Sequence, residues 1–464
     1  MAERSEVDGG ALNSGRALPC GEARLTARHP HLASPSEEGE ESGRGFSLFD
    51  HGVWGTLGQA AVTESLSPKS HDDILEAVRW AVAEEAPLEI VGGGTKRGWG
   101  RPPATNHVLD LSALSGVRLY EPEELILQAH AATPLAEIEA LLAENGQQLA
   151  FEPPDFGPLF GGPAGRQTLG GAIVANLAGP RRLKAGAARD HFLGFAGVSG
   201  RGETFKSGGR VMKNVTGYDL CKLMAGSFGT LAVLSEVTVK VLPAGEKTRT
   251  VLVYGLDDAL AAEAMAAALN SSHEVSGAAY LPAGIAGQSA VGYVSDPGAA
   301  VTAVRVEGPG PSVEHRCAAL RVLLGEWGAT EELHGRNSVA LWAEVRDVAC
   351  FAGDQTKAVW RLSAPPAAPA GFLNGLTVEV GAEYFADWGG GLVWLSAPAT
   401  EAAAQAIRAA ADGCDGHATL VRGPEMLRSA VPVFHPQPAP VAALSERLRA
   451  QFDPKGVLNP GRMG

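Results

Sequence analysis

Leu88 to Val91 is a short apolar run that leads directly into Gly92-Gly93-Gly94-Thr95-Lys96-Arg97-Gly98. Three glycines, a hydroxyl and two cations at the end of a strand are suited to holding an anion. Glycine lets successive backbone N–H groups turn toward one point without a Cβ in the way. The spacing is neither that of a P-loop nor that of a dinucleotide fingerprint, because Pro102, Pro103 and a second strand at His107 to Leu111 follow where a helix would be required. An anion here meets a strand–loop–strand element.

A second glycine-rich stretch, Gly161 to Gly186, contains Thr168-Leu169-Gly170-Gly171-Ala172-Ile173-Val174-Ala175-Asn176. Thr168 is placed to open a short helix, and the small residues after it admit a bulky planar ligand close to the backbone, although tight helix packing explains Gly170 and Gly171 equally well. A third stretch runs from Arg210 through Lys213-Asn214-Val215-Thr216-Gly217-Tyr218 to a glycine turn at Gly226 and Gly229. It ends in Leu231 to Val241, whose β-branched residues predict a buried strand. Asn214 and Thr216 also suit an N-cap.

These elements need a frame. Ser70 to Asp73 has the form of a capping box, followed by Ile74, Leu75, Val78 and Val82 on one helical face. Val117 to Tyr120 and Leu125 to His130 predict a hairpin-like pair. Thr133-Pro134 predicts an N-cap with proline at the first helical position, before a Leu135, Ile138, Leu142 stripe that stops at Gly146. From Lys247 on, strands at Thr248–Tyr254, Val301–Val306, Ala358–Leu362 and Leu392–Leu395 alternate with helices at Asp257–Leu269, Ser312–Trp327 and Thr400–Ala411. Connectors are expected at Ser363–Gly371 and His435–Pro440. That pattern is an antiparallel sheet covered by helices, a cap over one side of the site.

The chain has 464 residues, 45% of them apolar, and a net charge of −14. The acidic balance, with no sustained Lys/Arg stripe, argues against a nucleic-acid partner. Five scattered cysteines without a C-x-x-C give neither a disulfide framework nor a cluster site, and a reducing, cytoplasmic setting is expected. No apolar run reaches the roughly 18 residues of a membrane span, so membrane contact would be peripheral, through partners. His29-Pro30-His31 lies in a polar, aperiodic tail with no further ligand at metal spacing, and no metal site is expected.

Taken together, GGGTKRG, TLGGAIVAN with the following RDHFLG, the run from GRVMKNVTGYDL through GSFGTLAVLSEVTVKV, and the closing FDPKGVLNPGRM resemble the FAD-binding PCMH-type superfamily of vanillyl-alcohol oxidase and p-cresol methylhydroxylase. PRRLKAGAARDHFLG and MKNVTGYDL are most similar to the FAD-binding E-subunit family of bacterial glycolate oxidases. The resemblance implies an α+β fold. From its composition, residues 1–45 are expected to form a disordered tail, and the resemblance implies an FAD-binding domain of two α/β subdomains at 46–245. It further implies an antiparallel sheet-plus-helix cap for substrate or partner at 246–436 and a return of 437–464 to the FAD domain. It implies that the N–H groups of Gly93, Gly94, Thr95, Lys96 and Gly98 serve the pyrophosphate, that Thr168 and Gly171 line the ring side, and that Gly229 and Val237 face the adenosine. Gly92, Gly170, Asn176, Asp190, Glu236 and Asn459 complete the set.

With no His or Cys between Val91 and Gly100 or between Gly161 and Gly186, the FAD is expected to be noncovalent. His191 is read as a hydrogen-bonded, partly buried residue. The implied function is an FAD-binding subunit of a glycolate oxidase complex that oxidises the CH–OH of glycolate to glyoxylate and passes electrons to an iron–sulfur subunit, alongside a second flavin subunit. A stand-alone alcohol or sugar oxidoreductase and a non-catalytic assembly subunit are the alternatives. A 2-hydroxy acid also needs a cation for its carboxylate, and Arg181, Arg182, Lys213 and Arg422 are the candidates. The cap histidines His273, His315, His334, His417 and His435 stand singly, and no catalytic residue is assigned.

Overall fold

The computed structural model describes residues 64–209 and 217–464. The tail, the expected start of order at Phe46 to Trp54, His29 and His31, and Lys213, Asn214 and Thr216 lie outside the described residues.

Helix α1, His71–Glu84, begins as its sequence dictates: the Ser70 hydroxyl accepts from the Asp73 N–H and the Asp73 carboxylate accepts from the Ser70 N–H, both at 3.1 Å. Its buried face of Ile74, Ala77, Val78 and Ala81 covers a three-stranded parallel sheet, ordered β1 (Glu64–Leu66), β3 (His107–Asp110), β2 (Leu88–Val91). The far end of the chain completes this layer. The Leu88 N–H donates to Val457 (2.8 Å), the Asn459 N–H donates to Leu88 (2.9 Å), and Val457 and Leu458 are buried in the same core as Leu88 and Val78.

A second, antiparallel sheet comprises β4 (Val117–Glu121), β5 (Ile126–His130), β7 (Phe192–Ser199), β8 (Thr204–Gly208) and β9 (Ala232–Lys240), in the order β4-β5-β9-β7-β8; β6 (Gln147–Gln148) pairs with β10 (Leu242–Pro243) beside it. Helix α2, Leu135–Glu144, buries Leu135, Ile138 and Leu142. Its cap differs from the expectation. Pro134 occupies the N-cap, and the Thr133 hydroxyl turns away to accept from the Gly116 N–H (2.9 Å) and donate to the His130 carbonyl (2.7 Å). The Leu135 N–H finds the Gln167 carbonyl instead, so a tertiary acceptor replaces the local cap. Helix α3, Leu169–Val174, is capped by Thr168, whose hydroxyl accepts from the Gly171 N–H.

Residues 247–422 build an eight-stranded, fully antiparallel sheet. The four expected strands are β11 (Lys247–Tyr254), β13 (Val301–Gly308), β15 (Ala358–Ser363) and β17 (Leu392–Ala397). Four more, β12 (Gly277–Leu281), β14 (Thr330–His334), β16 (Glu383–Asp387) and β18 (His417–Arg422), complete it. The central β12, Gly-Ala-Ala-Tyr-Leu, has little strand propensity and is fully buried; packing overrides propensity there. Helices Asp258–Leu269, Gly310–Leu324, Gly335–Asp347 and Glu401–Asp412 pack beside these strands.

A buried ion cluster joins this sheet to the first half of the chain. Arg305 on β13 donates twice to Glu152 (2.9 and 3.0 Å), and Arg181 donates twice to Glu307 (both 2.9 Å). Arg305 is 1% exposed and stacks on Trp342 at 4.6 Å.

Candidate functional site

β2 ends at Val91, and the backbone beyond it opens into a groove. Arg97 N–H folds back to the Gly94 carbonyl (3.3 Å) and Trp99 N–H to Lys96 (3.0 Å). Among the described residues, the N–H groups of Gly93, Gly94, Thr95 and Lys96 carry no protein acceptor, which leaves a row of donors at one end of the groove. Gly94 has φ +73 and a Cβ there would meet only ordinary van der Waals contacts, to Arg97 and Val91 at 3.9 Å, so its need for glycine is conformational. Gly93 differs: a Cβ there would collide with the Arg166 carbonyl. Half-buried Lys96 reaches under the loop, its Nζ 3.0 Å from Gln167 Oε1 and 3.3 Å from the Thr95 hydroxyl. Loss of water lowers its pKa to about 8, against the pull of Asp155.

The chain's last residues hold this loop from behind. Arg462 pairs with Glu89 at 2.9 Å and donates to the carbonyls of Arg97 (2.9 Å) and Trp99 (2.8 Å). Asn459, in the left-handed region at φ +46, accepts from the Ile90 N–H (2.9 Å) and donates to the Phe228 carbonyl (2.8 Å). A Cβ on Gly229 (φ +71) would fall 2.7 Å from the Asn459 amide nitrogen. The first and third glycine-rich stretches and the closing motif therefore converge on the Asn459 side chain.

Of the candidate residues, Gly92, Gly93, Gly94, Thr95, Lys96, Thr168, Gly170, Gly171, Gly229 and Asn459 line two adjoining cavities of this groove. Gly170 is fixed by packing, since its Cβ would sit 2.8 Å from the Ala131 carbonyl oxygen; Gly171 faces Lys96, with the ammonium 3.6 Å from its Cβ position. Five candidates lie off this lining. Gly98 packs against the Phe160 ring, and Val237 is wholly buried in β9. Asn176 accepts from the Arg189 N–H (3.1 Å), Asp190 from the Ala187 N–H (2.9 Å) beside Lys222, and Glu236 from Gln128 (3.2 Å). The lining also includes Ile90, Val174, Ala175, Phe228 and Arg462, which the sequence reading did not select. Arg462 lay within the quoted closing motif, and Phe228 between Gly226 and Gly229.

His191 is fully buried, with Nε2 2.8 Å from the Ala185 carbonyl, and burial lowers its pKa. Two of the carboxylate-binding candidates are already engaged: Arg181 by Glu307 and Glu152, and Arg422 by the carbonyls of Leu159 and Phe351, each at 2.8 Å. Tyr218 is 90% exposed. His334 and His435 pair with Glu332 (3.4 Å) and Asp412 (3.0 Å), and among the described residues no three His, Cys, Asp or Glu side chains gather at metal spacing.

Unpaired N–H donors, a lysine and close small-residue walls fit a dinucleotide diphosphate with a planar ring system. The comparisons agree. Residues 65–208 match the FAD binding domain family. The chain is 36% identical over 390 residues to glycolate oxidase subunit GlcE of Escherichia coli (strain K12), spanning 84% of this chain and 96% of that protein. It is 30% identical over 189 residues to glycolate oxidase subunit GlcD of Bacillus subtilis (strain 168), covering 40% of this chain and 38% of that one. In fold it is similar to 4-ethylphenol oxidase from Gulosibacter chungangensis (TM-score 0.65, 15% identity, 86% of this chain and 89% of that one). It is likewise similar to p-cresol methylhydroxylase (TM-score 0.63, 14% identity, 86% and 88%). FAD is thus the cofactor, and the chain belongs to the FAD-binding PCMH-type superfamily and, within it, to the family of the glycolate oxidase subunit GlcE.

Proposed function

We propose that this chain is the FAD-binding subunit of a glycolate oxidase complex, oxidising glycolate to glyoxylate and passing the electrons to an iron–sulfur partner beside a second flavin subunit. The observation that carries this reading is the similarity to GlcE over 84% of this chain and 96% of that protein. When bound, FAD supplies the acceptor for the hydride. The chain's own residues bind and orient it noncovalently. The N–H groups of Gly93 to Lys96 and the Lys96 ammonium would hold the diphosphate. Thr168 and Gly171 form a wall without bulk, and Asn459 locks the Phe228–Gly229 turn to β2. The cysteines are scattered, so onward electron transfer through a cluster requires another chain. No helix among the described residues is long and apolar enough to cross a membrane.

The test is co-expression with the second flavin subunit and a cysteine-rich subunit. The complex should reduce an artificial acceptor on adding glycolate, whereas the chain alone with FAD should bleach slowly or not at all. A chain that fails to co-purify with these subunits, or a complex inert to glycolate, refutes the proposal.

A further inference from the structure

Arg182 and Arg361 come from distant parts of the chain and each packs against the same ring. Arg182 opens the short helix Arg182–Ala185, a few residues beyond Ala175 on the groove wall, and Arg361 lies on β15 of the large sheet. Their guanidinium carbons are 4.8 and 5.2 Å from the centroid of the Trp388 indole. Trp388 is held in place, its Nε1 donating to the Gly179 carbonyl (3.0 Å) and its backbone N–H to Asp387 (2.7 Å).

The other shielded arginines of this fold are matched. Arg305, Arg181 and Arg462 have carboxylates, and Arg422 and Arg428 have carbonyls. Among the described residues neither the Arg182 nor the Arg361 side chain has a carboxylate at ion-pair distance or a hydrogen-bond acceptor. Burial and the like charge of Arg182 lower the Arg361 pKa to about 10, and burial also lowers that of Arg182, with Asp190 opposing. His417 feels the same field: burial and then the Arg361 charge hold its pKa down. Among the described residues Asp387 makes no ion pair with either guanidinium; its carboxylate accepts from the Trp388 N–H, and burial raises its pKa to about 7. The two arginines are half-buried, Trp388 is 6% exposed and the neighbouring Leu183 is 44% exposed.

Two desolvated guanidinium groups without an anion are costly, and each offers a fork that matches a carboxylate. We propose that Arg182 and Arg361 together hold the carboxylate of a small organic acid at the junction of the FAD-binding half and the large sheet, anchoring the hydroxy acid. The anion site stands on this geometry; its identity as the substrate anchor rests on the proposed function.

The probe is oxalate, which has no C–H to lose, titrated into the full-length protein with FAD bound and followed by calorimetry and tryptophan fluorescence, with sodium chloride at matched ionic strength as control. Oxalate should bind, and Arg182→Gln and Arg361→Gln should each weaken it about tenfold or more while keeping the flavin spectrum, with Arg361→Lys restoring part of the loss. Oxalate affinity unchanged in both variants, or chloride competing as well as oxalate, overturns the site. Should Arg361→Gln not fold, Arg182→Gln on its half-exposed helix decides alone. A glycolate-active complex whose oxalate binding ignores both substitutions removes the site and keeps the function. Arginine-dependent oxalate binding in a complex inert to glycolate keeps the site and removes the function.

Discussion

Replacing Asn459 tests the convergence of the first and third glycine-rich stretches most directly. Asn459→Ala leaves the Ile90 N–H and the Phe228 carbonyl without partners at a residue that is 3% exposed. Each orphaned group costs about 1–1.5 kcal/mol where the adjoining groove lets water in part-way. Holding alanine at the positive φ that asparagine tolerates adds roughly 1 kcal/mol. The sum is about 3–4 kcal/mol of unfolding free energy. With an unfolding entropy of roughly 2.1 cal/mol/K per residue over roughly 400 residues, the apo protein should melt ~4 °C lower. Asn459→Gly relieves only the backbone share and should recover roughly 1 kcal/mol; Asn459→Asp accepts from Ile90 but cannot donate to Phe228, and should recover little. The assay is thermal and urea unfolding of apo protein, with FAD titrated by fluorescence quenching. FAD should bind more weakly to the alanine and aspartate variants, because the loop and the Phe228 turn no longer share a tether. An alanine variant that unfolds within about 1 kcal/mol of the wild type and binds FAD unchanged would refute the argument.

Gly94→Val should give a folded protein that purifies colourless and whose melting temperature no longer rises with FAD, since a β-branched residue at φ +73 distorts the loop and not the paired β2 and β3; a yellow variant of normal affinity contradicts this. Because the Lys96 pKa in the fold is lowered to about 8, the unfolded chain binds the extra proton between that pH and its ordinary 10.5, so apo stability should rise across this window while FAD affinity falls as the ammonium is lost. Lys96→Met should flatten both profiles, as read by melting curves and FAD titrations from pH 7 to 10.5. Arg305→Met should cost about 3 kcal/mol by leaving buried Glu152 with Arg181, at 3.4 Å, as its remaining counter-ion, and Glu152→Gln on that background should recover part of it in urea unfolding.

The parts of the fold that were legible in the sequence are those set by neighbours along the chain. The Ser70 capping box, the run from Leu88 into Gly92, the Thr168 cap and the buried strand after Gly229 each carry their cause within a few residues. The parts that were not legible depend on tertiary partners. β12 is a strand because it is central and buried, and the Thr133 hydroxyl was drawn to Gly116, on the far side of a hairpin. Gly170 and Gly98 read like ligand glycines because a glycine against a ligand and one against a neighbouring side chain or carbonyl share the same sequence signal. Arg361 carries no motif at all; only the sheet brings it to Trp388.

The Glu152, Arg181, Arg305 and Glu307 cluster fixes how the molecule can move and how it can be cut. A cap swinging as a lid would pull Arg305 from Glu152 and expose a carboxylate and a guanidinium mated in a dry interior, so entry to the groove falls to local loops and not to a hinge. The same four side chains forbid a clean excision. A fragment ending before Lys247 would carry Glu152 without Arg305, and would lose the Asn459 and Arg462 that brace its loop. Chimaeras between members of this family that exchange the large sheet must therefore move these charges as a set.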